Sequence, residues 1–399
     1  MRKQQRGGGL IPFSELRKKM KEKICSIYNL NRAFLKRKSC RMWKPSVMDY
    51  YLHMTRYNYI LHKQLMAGSY RVKPCYHFNI CDPKPRSIEA PHLTDGIIQS
   101  SVNTNYLNDK LRPVLLPENC ACQIGKGTDY ARELFKSQLR EYYRRHGIEG
   151  YALKVDLKSF FASIDGDSLH ELNLRYIQDP WVISMVESWG VRPGEKGLGL
   201  GAETNQTESC LALHPIDTYC KTVLSCRYYV RYQDDIIMIL PSKAEVARVK
   251  AGLITELGKY KLKLNEKKTQ LYRLNDWIPF LGFRFIVLPD TGKVLMKVRR
   301  EGARREKRKL KNQKKIEIPS DEIWQSFTCW YSYASKGDNY YILKNMEDFI
   351  MEVLHVDRKE EMQREIALAK VTKLEATLEY LALMSDVDLS DTTTEEVTA

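Results

Sequence analysis

Long apolar runs are missing from this 399-residue chain, because no window holds the roughly 18 apolar residues that a membrane-spanning helix requires. The N-terminal segment MRKQQRGGGLIPF is basic and lacks the apolar core of a secretory signal peptide. The sequence therefore predicts a cytoplasmic protein that makes no contact with a membrane.

Metal-binding cysteine pairs are also missing. Ten cysteines are scattered along the chain, but no two have the spacing C-x-x-C, and no two histidines have the spacing of a zinc site. Cys120 and Cys122 are one residue apart, which does not supply four ligands. The pattern excludes a structural zinc site of the usual type and predicts reduced cytosolic thiols.

Acidic residues are in short supply, with 49 Asp and Glu against 65 Lys and Arg, for a formal net charge of +16. Residues 375–399 hold seven acidic and no basic residues, so residues 1–374 carry 65 basic against 42 acidic side chains. So large an excess predicts binding to a polyanion. The alternative is a basic surface that is only solvated.

Basic side chains are densest in two segments. Residues 1–45 contain fourteen basic and two acidic residues, and their helices either follow an RNA backbone or form a solvated face. Residues 297–315, KVRREGARREKRKLKNQKK, contain eleven basic and two acidic residues. This second segment predicts a helix on the backbone of a nucleic-acid duplex, and a solvated linker is the alternative. Its candidate contacts are Arg304, Arg305 and Lys307.

The most informative stretch is Arg227 to Leu240, RYYVRYQDDIIMIL. Its aromatic and β-branched residues predict two strands, which places Asp234 and Asp235 at the tip of a buried hairpin. An ordinary polar turn is one explanation. The other is a cation site, since Mg²⁺ prefers carboxylate oxygens and pairs of such ions serve phosphoryl transfer.

A third carboxylate follows a separate predicted strand. Residues 151–157 form that strand, and Asp156 lies near its end, where it either caps the next segment or completes a two-ion site with Asp234 and Asp235. Leu157 directly after it is a further candidate ligand. Phe161 either packs in the core or excludes the 2′-hydroxyl of an incoming nucleotide.

Two other segments supply candidate nucleotide contacts. Asp82 to Arg86 predicts a rigid extended turn that presents Lys84 and Arg86, either as a charged hairpin tip or as ligands of a triphosphate. In GLGLGAETNQT, residues 197–207, Gly201 permits a close backbone approach, and Asn205 and Gln206 offer amides at a helix start.

The chain after the hairpin contains two more predicted features. Residues 257–271 predict one amphipathic piece that ends in Lys267-Lys268-Thr269. Residues 279–285, PFLGFRF, predict a tight strand–glycine–strand turn around Gly282.

In this order the motifs resemble those of bacterial reverse transcriptases, over roughly residues 40–345. The matching pieces are Arg86-x-Ile-x-x-Pro-x-x-x-Asp-x-x-x-Gln99, Asp156 with Phe161, Gly201 to Gln206, Tyr232-Gln233-Asp234-Asp235, Asn265 to Thr269 with Lys268, and Phe280-Leu281-Gly282-Phe283. The resemblance implies an α+β right-hand polymerase with fingers, an antiparallel palm sheet and a thumb.

The resemblance also implies an organisation and a site. The segments are a basic N-terminal segment (1–45), fingers with the start of the palm (46–150), palm (151–290), thumb (291–350), and a C-terminal helix with an acidic disordered tail (351–399). Two Mg²⁺ ions, with Mn²⁺ as a substitute, are implied at Asp156, Leu157, Asp234 and Asp235. The nucleotide contacts implied are Lys84, Arg86, Phe161, Gln206 and Lys268, and the template or primer contacts are Gly201, Asn205, Tyr232, Gly282, Arg304, Arg305 and Lys307.

Within that family, Leu200 to Gln206 is similar to the diversity-generating retroelement branch, whose enzymes copy an RNA repeat with errors at adenines. Asn205 departs from the usual Ser of this motif. The resemblance implies an RNA template, a primer, dNTPs and a small basic helical-bundle accessory protein. Phage-defence reverse transcriptases share the palm and remain an alternative, as does a non-catalytic RNA-binding scaffold.

Overall fold

The computed structural model describes residues 13–81 and 85–354, together with residues 370, 371, 374 and 378. The chain divides into two compact units, one of residues 1–281 and 285–294 and the other of residues 282–284 and 295–399. No helix in the described part of the chain is long and apolar enough to cross a membrane. Lys84 and most of the segment 351–399, with its predicted C-terminal helix and acidic tail, lie outside the described residues.

The first unit contains thirteen α-helices among its described residues. They are Phe13–Cys25 (α1), Ile27–Lys38 (α2), Pro45–Leu52 (α3), Met54–Met66 (α4), Leu93–Val102 (α5), Asn108–Leu111 (α6), Thr128–His146 (α7), Phe160–Ser163 (α8), Gly166–Tyr176 (α9), Pro180–Trp189 (α10), Glu203–Ala212 (α11), His214–Thr222 (α12) and Lys243–Lys259 (α13). A π-helical turn, Asn103–Leu107, joins α5 to α6.

Several of these helices begin where the sequence supplies a capping side chain. The Asp179 carboxylate accepts hydrogen bonds from the N–H groups of Trp181 and Val182 at the start of α10. Ser242 accepts from the N–H of Glu245 at the start of α13. Such caps satisfy backbone donors that have no partner within the helix.

Strands of the first unit form a hairpin and a four-stranded sheet. Their bounds are Tyr76–Cys81 (β1), Pro85–Ala90 (β2), Tyr151–Val155 (β3), Tyr228–Tyr232 (β4), Asp235–Leu240 (β5) and Gln270–Arg273 (β6). β1 and β2 pair antiparallel, with Phe78 opposite Ile88. The larger sheet has the order β4-β5-β3-β6, and all of its pairs are antiparallel.

The core of the sheet explains why the central hairpin holds its position. All of β5 after Asp235 is buried, and so are the first four residues of β4. On one face of the sheet, Tyr229, Ile236, Met238 and Leu240 pack in one cluster with Val249 and Leu253 of α13. This burial anchors both arms, so the turn between them is presented on a rigid support.

The chain then passes through a three-stranded sheet in chain order, Ile278–Phe280 (β7), Phe283–Val287 (β8) and Val294–Val298 (β9). The second unit contains the helices Arg300–Lys315 (α14), Ser320–Ala334 (α15) and Tyr340–Leu354 (α16). Leu310, Ile323, Phe327 and Ile350 form the centre of their apolar core.

Two predicted elements differ from the observed ones. The predicted amphipathic piece 257–271 is divided between elements, because α13 ends at Lys259 and a loop then leads into β6. The sequence also predicts one helix over residues 96–115, whereas the structure interrupts it with the π-helical turn and ends it at Leu111. In both places the charge and apolar pattern continues across a change of backbone conformation that the pattern alone does not signal.

Candidate active site

The turn between β4 and β5 carries the predicted acidic pair. Tyr232 and Asp235 are the last paired residues of the hairpin, and Gln233 and Asp234 form its tip. Gln233 has a φ of +54°, in the left-handed region that few residues other than glycine adopt. The Asp234 side chain therefore extends from a tight turn whose two arms are fixed in the core.

Asp156 comes to the same place from β3, the neighbour of β5. Val155 pairs with Ile236, so Asp156 follows β3 at the level where Asp235 begins β5. The Asn265 amide nitrogen donates to Asp156 Oδ2 at 2.9 Å, and the Asn265 backbone N–H donates to the Asp156 carbonyl at 2.8 Å. Asn265 thus holds both the main chain and the carboxylate of Asp156.

Two lysines face these carboxylates. Lys154 Nζ lies 3.5 Å from Asp235 Oδ1. Lys268 Nζ lies 3.9 Å from Asp156 Oδ2, with most of the lysine side chain exposed. Both distances are long for a hydrogen bond, so the lysines lie near the carboxylates without being locked to them.

The electrostatic surroundings of Asp234 are unfavourable to its charge. Burial raises the pKa of Asp234 above its usual range, and the negative charges of Asp235 and Asp156 raise it further. The Asp234 backbone N–H and the positive charge of Arg86 lower the same pKa. The site therefore carries an excess of negative charge that a bound cation would relieve.

The donor chemistry of this cluster suits a hard divalent cation. Carboxylate oxygens from three aspartates are the ligands that Mg²⁺ prefers. Among the described residues, no three His, Cys, Asp or Glu side chains already converge closely enough to hold an ion. The fit therefore rests on the type of donor and on the excess charge. Leu157 is buried and forms an isolated antiparallel β-bridge with Leu264. This pairing keeps the backbone after Asp156 in place.

The predicted glycine-rich turn packs on the hairpin of β1 and β2. The Glu89 N–H donates to the Leu200 carbonyl at 2.7 Å. A Cβ at Gly201 would lie 2.5 Å from the Glu89 carbonyl oxygen, and Gly201 has a φ of +136°. Both the φ and the close approach favour glycine here. The observed neighbour of Gly201 is thus the hairpin backbone, whereas the expected neighbour was a template.

Asn205 also has an internal role in this turn. Its side chain is buried, and its amide nitrogen donates to the carbonyls of Gly199 and Trp189, at 2.9 and 3.3 Å. The Asn205 Oδ1 atom is buried without a hydrogen-bond partner. The template contact predicted for Asn205 therefore requires the turn to rearrange.

The other predicted nucleotide contacts lie around the acidic turn or beside it. Gln206 is exposed, and its carbonyl accepts hydrogen bonds from Ser209 and, at 3.5 Å, from the Gln233 side chain. Phe161 is half-buried and packs edge-on against Phe160, with ring centroids 5.3 Å apart. Arg86 is exposed on β2, within electrostatic reach of Asp234.

The predicted template and primer contacts are spread over several elements. Tyr232 is half-buried at the end of β4. Gly282 has a φ of +82°, and the space above its Cα is filled by the Tyr333 hydroxyl. On α14, Arg304 and Arg305 are exposed, whereas Lys307 donates to Asn345 Oδ1 at 2.5 Å and lies 4.7 Å from the centre of the Phe349 ring.

A buried polar network lies behind the turn and was not predicted from the sequence. Arg231 and Asp217 are fully buried, and the Arg231 Nε and Nη2 atoms each donate to the Asp217 carboxylate at 2.6 Å. Arg231 Nη1 also donates to the Gln233 carbonyl at 3.1 Å. An arginine inside an otherwise apolar strand was the available signal, because a buried charge requires a partner.

Comparisons with known proteins address the family of this chain. Residues 100–285, slightly less than half of the chain, match the family described as reverse transcriptase (RNA-dependent DNA polymerase). Comparison with curated proteins gave no match.

Solved structures with a similar fold include two telomerases. One is telomerase from Candida albicans in complex with a TWJ fragment of telomeric RNA, at 12% identity and a TM-score of 0.47, covering 80% of this chain and 60% of that one. The other is apo telomerase from Candida tropicalis truncated from its C-terminal domain, at 13% identity and a TM-score of 0.43, covering 57% of this chain and 56% of that one. The chain thus spans less than two thirds of the telomerase chains that it matches.

Proposed function

We propose that this chain, which its reverse transcriptase domain marks as an RNA-directed DNA polymerase and hence a nucleotidyltransferase, extends a primer 3′-hydroxyl on an RNA template. The observation that carries the proposal is the strand register that brings Asp156 and the Asp234–Asp235 turn to the same end of the buried sheet. The predicted α+β right-hand polymerase fold is confirmed by the family match and the antiparallel sheet.

Asp156 and Asp234 are the proposed ligands of two Mg²⁺ ions, for which Mn²⁺ would substitute. Asp235 assists them, and the Leu157 backbone supplies a further oxygen. When bound, the ions lower the pKa of the primer 3′-hydroxyl and offset the charge of the triphosphate. Asn265 keeps the Asp156 carboxylate in one orientation through its hydrogen bond to Oδ2.

The charges of the incoming dNTP are met by basic residues near the turn. Arg86 contacts phosphate oxygens from β2, and Lys84, two residues before it in the sequence, assists it. Lys268 contacts the leaving pyrophosphate or gives it a proton, and its proximity to Asp156 supports that placement. Phe161 selects deoxyribose by filling the space that a 2′-hydroxyl requires, and Gln206 contacts the nucleotide from the start of α11.

Template and primer are held by more distributed contacts. Gly201, Asn205, Tyr232 and Gly282 are the proposed contacts from the turns and strands. Arg304 and Arg305 on α14 bind backbone phosphates, with Lys307 beside them. Their exposure supports phosphate binding for the two arginines, because their guanidinium groups are open to a ligand.

The proposed biological role is error-prone copying of an RNA repeat in a diversity-generating retroelement, with a small basic helical-bundle protein as partner. The support is the segment Leu200 to Gln206, whose aliphatic first residue and final Gln are similar to that branch.

The test is to sequence the cDNA that the purified chain makes with its co-purifying RNA, Mg²⁺ and four dNTPs. Copies of a defined RNA with substitutions concentrated at template adenines would support both the chemistry and the role. Faithful copies would retain the polymerase and reject the mutagenic role. Untemplated or repetitive DNA would favour a phage-defence enzyme, and an absence of Mg²⁺-dependent dNTP binding would favour a scaffold.

A further inference from the structure

The buried arginine behind the acidic turn has an unusually complete set of partners. Two nitrogens of the Arg231 guanidinium bind the Asp217 carboxylate, Nη2 also donates to the Cys210 carbonyl at 3.0 Å, and Nη1 donates to the Gln233 carbonyl. The Tyr229 hydroxyl donates to Asp217 Oδ1 at 2.5 Å. Because Asp217 lies on α12, the network ties the turn to a helix that packs behind the sheet.

The main chain of Arg231 is held as firmly as its side chain. Its N–H donates to the Glu118 carbonyl at 3.0 Å, and its carbonyl accepts from the Cys120 N–H at 2.8 Å. The guanidinium therefore extends from a fixed point. Of its hydrogen bonds, only the one to Gln233 reaches the catalytic turn.

That bond determines how one peptide group is oriented. Gln233 is in the left-handed region, which is unfavourable for a residue with a side chain and needs support from its surroundings. A trans peptide is planar, so its carbonyl and N–H point in opposite directions. With the Gln233 carbonyl turned to Arg231, the Asp234 N–H faces away from the guanidinium, so this hydrogen bond fixes the orientation of the peptide that leads into Asp234.

We propose that Arg231 is a positioning residue for nucleotide addition: by holding the Gln233 carbonyl it orients the peptide that joins Gln233 to Asp234, and with it the start of the Asp234 side chain. This inference rests on the proposed function, because it assigns Arg231 a role in the reaction of the same site. Asp217 and Tyr229 hold the guanidinium in place for this purpose.

The first experiment distinguishes a role of Arg231 in orienting the turn from an effect of Arg231 on folding stability. The triple variant Asp217→Leu, Tyr229→Phe, Arg231→Met replaces the whole network by apolar groups, which leaves no unpaired buried charge. We expect it to remain folded and to lose about 100-fold in kcat per active site, with KM for dNTP changed less than about threefold, as for an interaction made in the transition state. Active sites are counted by a single-turnover burst on an RNA template with a DNA primer.

A second pair of variants tests the peptide orientation directly. Arg231→Lys keeps a charge beside Asp217 but loses the fork that reaches Gln233. Glycine adopts a φ of +54° without strain, so adding Gln233→Gly to Arg231→Lys should raise kcat about fivefold. In a purely structural role, the second change would give no recovery.

The matched control is Leu65→Ala, which removes a buried side chain of α4 in a different apolar cluster from the buried side chains of β4 and β5 and lowers the unfolding temperature. Its kcat per active site should equal that of the wild type. An unimpaired triple variant, an equal loss in Leu65→Ala, or no recovery in the double variant would overturn the role of Arg231 while leaving the proposed function intact. A wild-type enzyme that adds no dNTP would overturn both.

Discussion

Asp234 shows how a functional residue can oppose folding. It is largely buried beside two other carboxylates, and both of them raise its pKa. Lys154 lies 3.5 Å from Asp235 and Lys268 lies 3.9 Å from Asp156, so these lysines offset the repulsion only in part. The residue is therefore retained at a cost in stability that a bound cation would remove.

Asp234→Asn should abolish activity and stabilise the fold. Without a ligand charge at this position we expect primer extension to fall by about 1,000-fold, on the order of 4 kcal/mol in the barrier. Because repulsion with Asp156 and Asp235 is lost, the unfolding temperature at neutral pH should rise by about 2 °C. Asp276→Asn, at an exposed position outside the site, should change neither measurement. A stable but fully active Asp234→Asn enzyme would contradict the assignment.

Glu208 should make stability depend on pH. Burial raises the pKa of Glu208 from 4.5 to about 8, its Oε1 accepts from Asn173, and its Oε2 has no partner. The folded state therefore keeps a proton that the unfolded state releases above pH 4.5, so this stabilising contribution falls as the pH rises and is lost above about 8.

Glu208→Gln should flatten that dependence. The neutral amide has nearly the same shape, so the variant should match the wild type near pH 4.5 and exceed it above pH 8 by more than about 1 kcal/mol in the free energy of unfolding. Urea unfolding at four pH values measures this difference. Two parallel curves across the range would show that Glu208 keeps no proton in the folded state.

At the scale of elements, residues on a single helix differ in how freely they can meet a ligand. On α14, Arg304 and Arg305 are exposed, whereas Lys307 is engaged with Asn345 and Phe349. All three were predicted to contact a nucleic-acid backbone, because the sequence shows which residues are charged. It does not show which of their side chains pack within the unit.

The exposed arginines and the packed lysine should differ in how they affect the salt dependence of nucleic-acid binding. Arg304→Ala with Arg305→Ala should reduce the slope of log affinity against log salt for a template–primer duplex by roughly 1 to 2. Lys307→Ala should change that slope by less than about 0.5, and it should lower the unfolding temperature because its packing is lost. Equal slopes for the double variant and the wild type would remove α14 from the nucleic-acid contacts.

The glycine-rich turn illustrates a different limit at this scale. The sequence identified Gly201 as a place of close approach, and the approach is real. The approaching group is the backbone at Glu89, more than a hundred residues earlier in the chain. A glycine signals that space is needed, but its partner is set by packing between distant segments.

At the scale of the whole molecule, all ten cysteines are free thiols of very different exposure. Cys40, Cys81 and Cys329 are exposed, and five others are buried. A thiol reagent such as DTNB should therefore label about three cysteines rapidly in the native protein and ten after unfolding in guanidinium. Fewer than ten after unfolding without a reductant would reveal a disulfide.

Sequence patterns predicted those features whose residues are adjacent in the chain. The Asp234–Asp235 turn, its two buried arms and the turn around Gly282 were predicted because strand propensity and turn residues act over a few positions. The Arg231–Asp217 pair was not predicted, since its partners lie on different elements and meet only through tertiary packing. For the same reason, the internal hydrogen bonds of Asn205 could not be foreseen.

The π-helical turn at residues 103–107 has a consequence for how the length of this chain can change in evolution. A turn with i to i+5 hydrogen bonds holds one residue more than an α-helical turn, and its side chains are already committed, with Asn103 Oδ1 accepting from Thr207 and the Tyr106 hydroxyl donating to the Ile177 carbonyl. Loss of one residue there would restore an ordinary helical turn without rotating the helix that follows. The turn is therefore a place where this fold can lose one residue, provided that Asn103 and Tyr106 keep their partners.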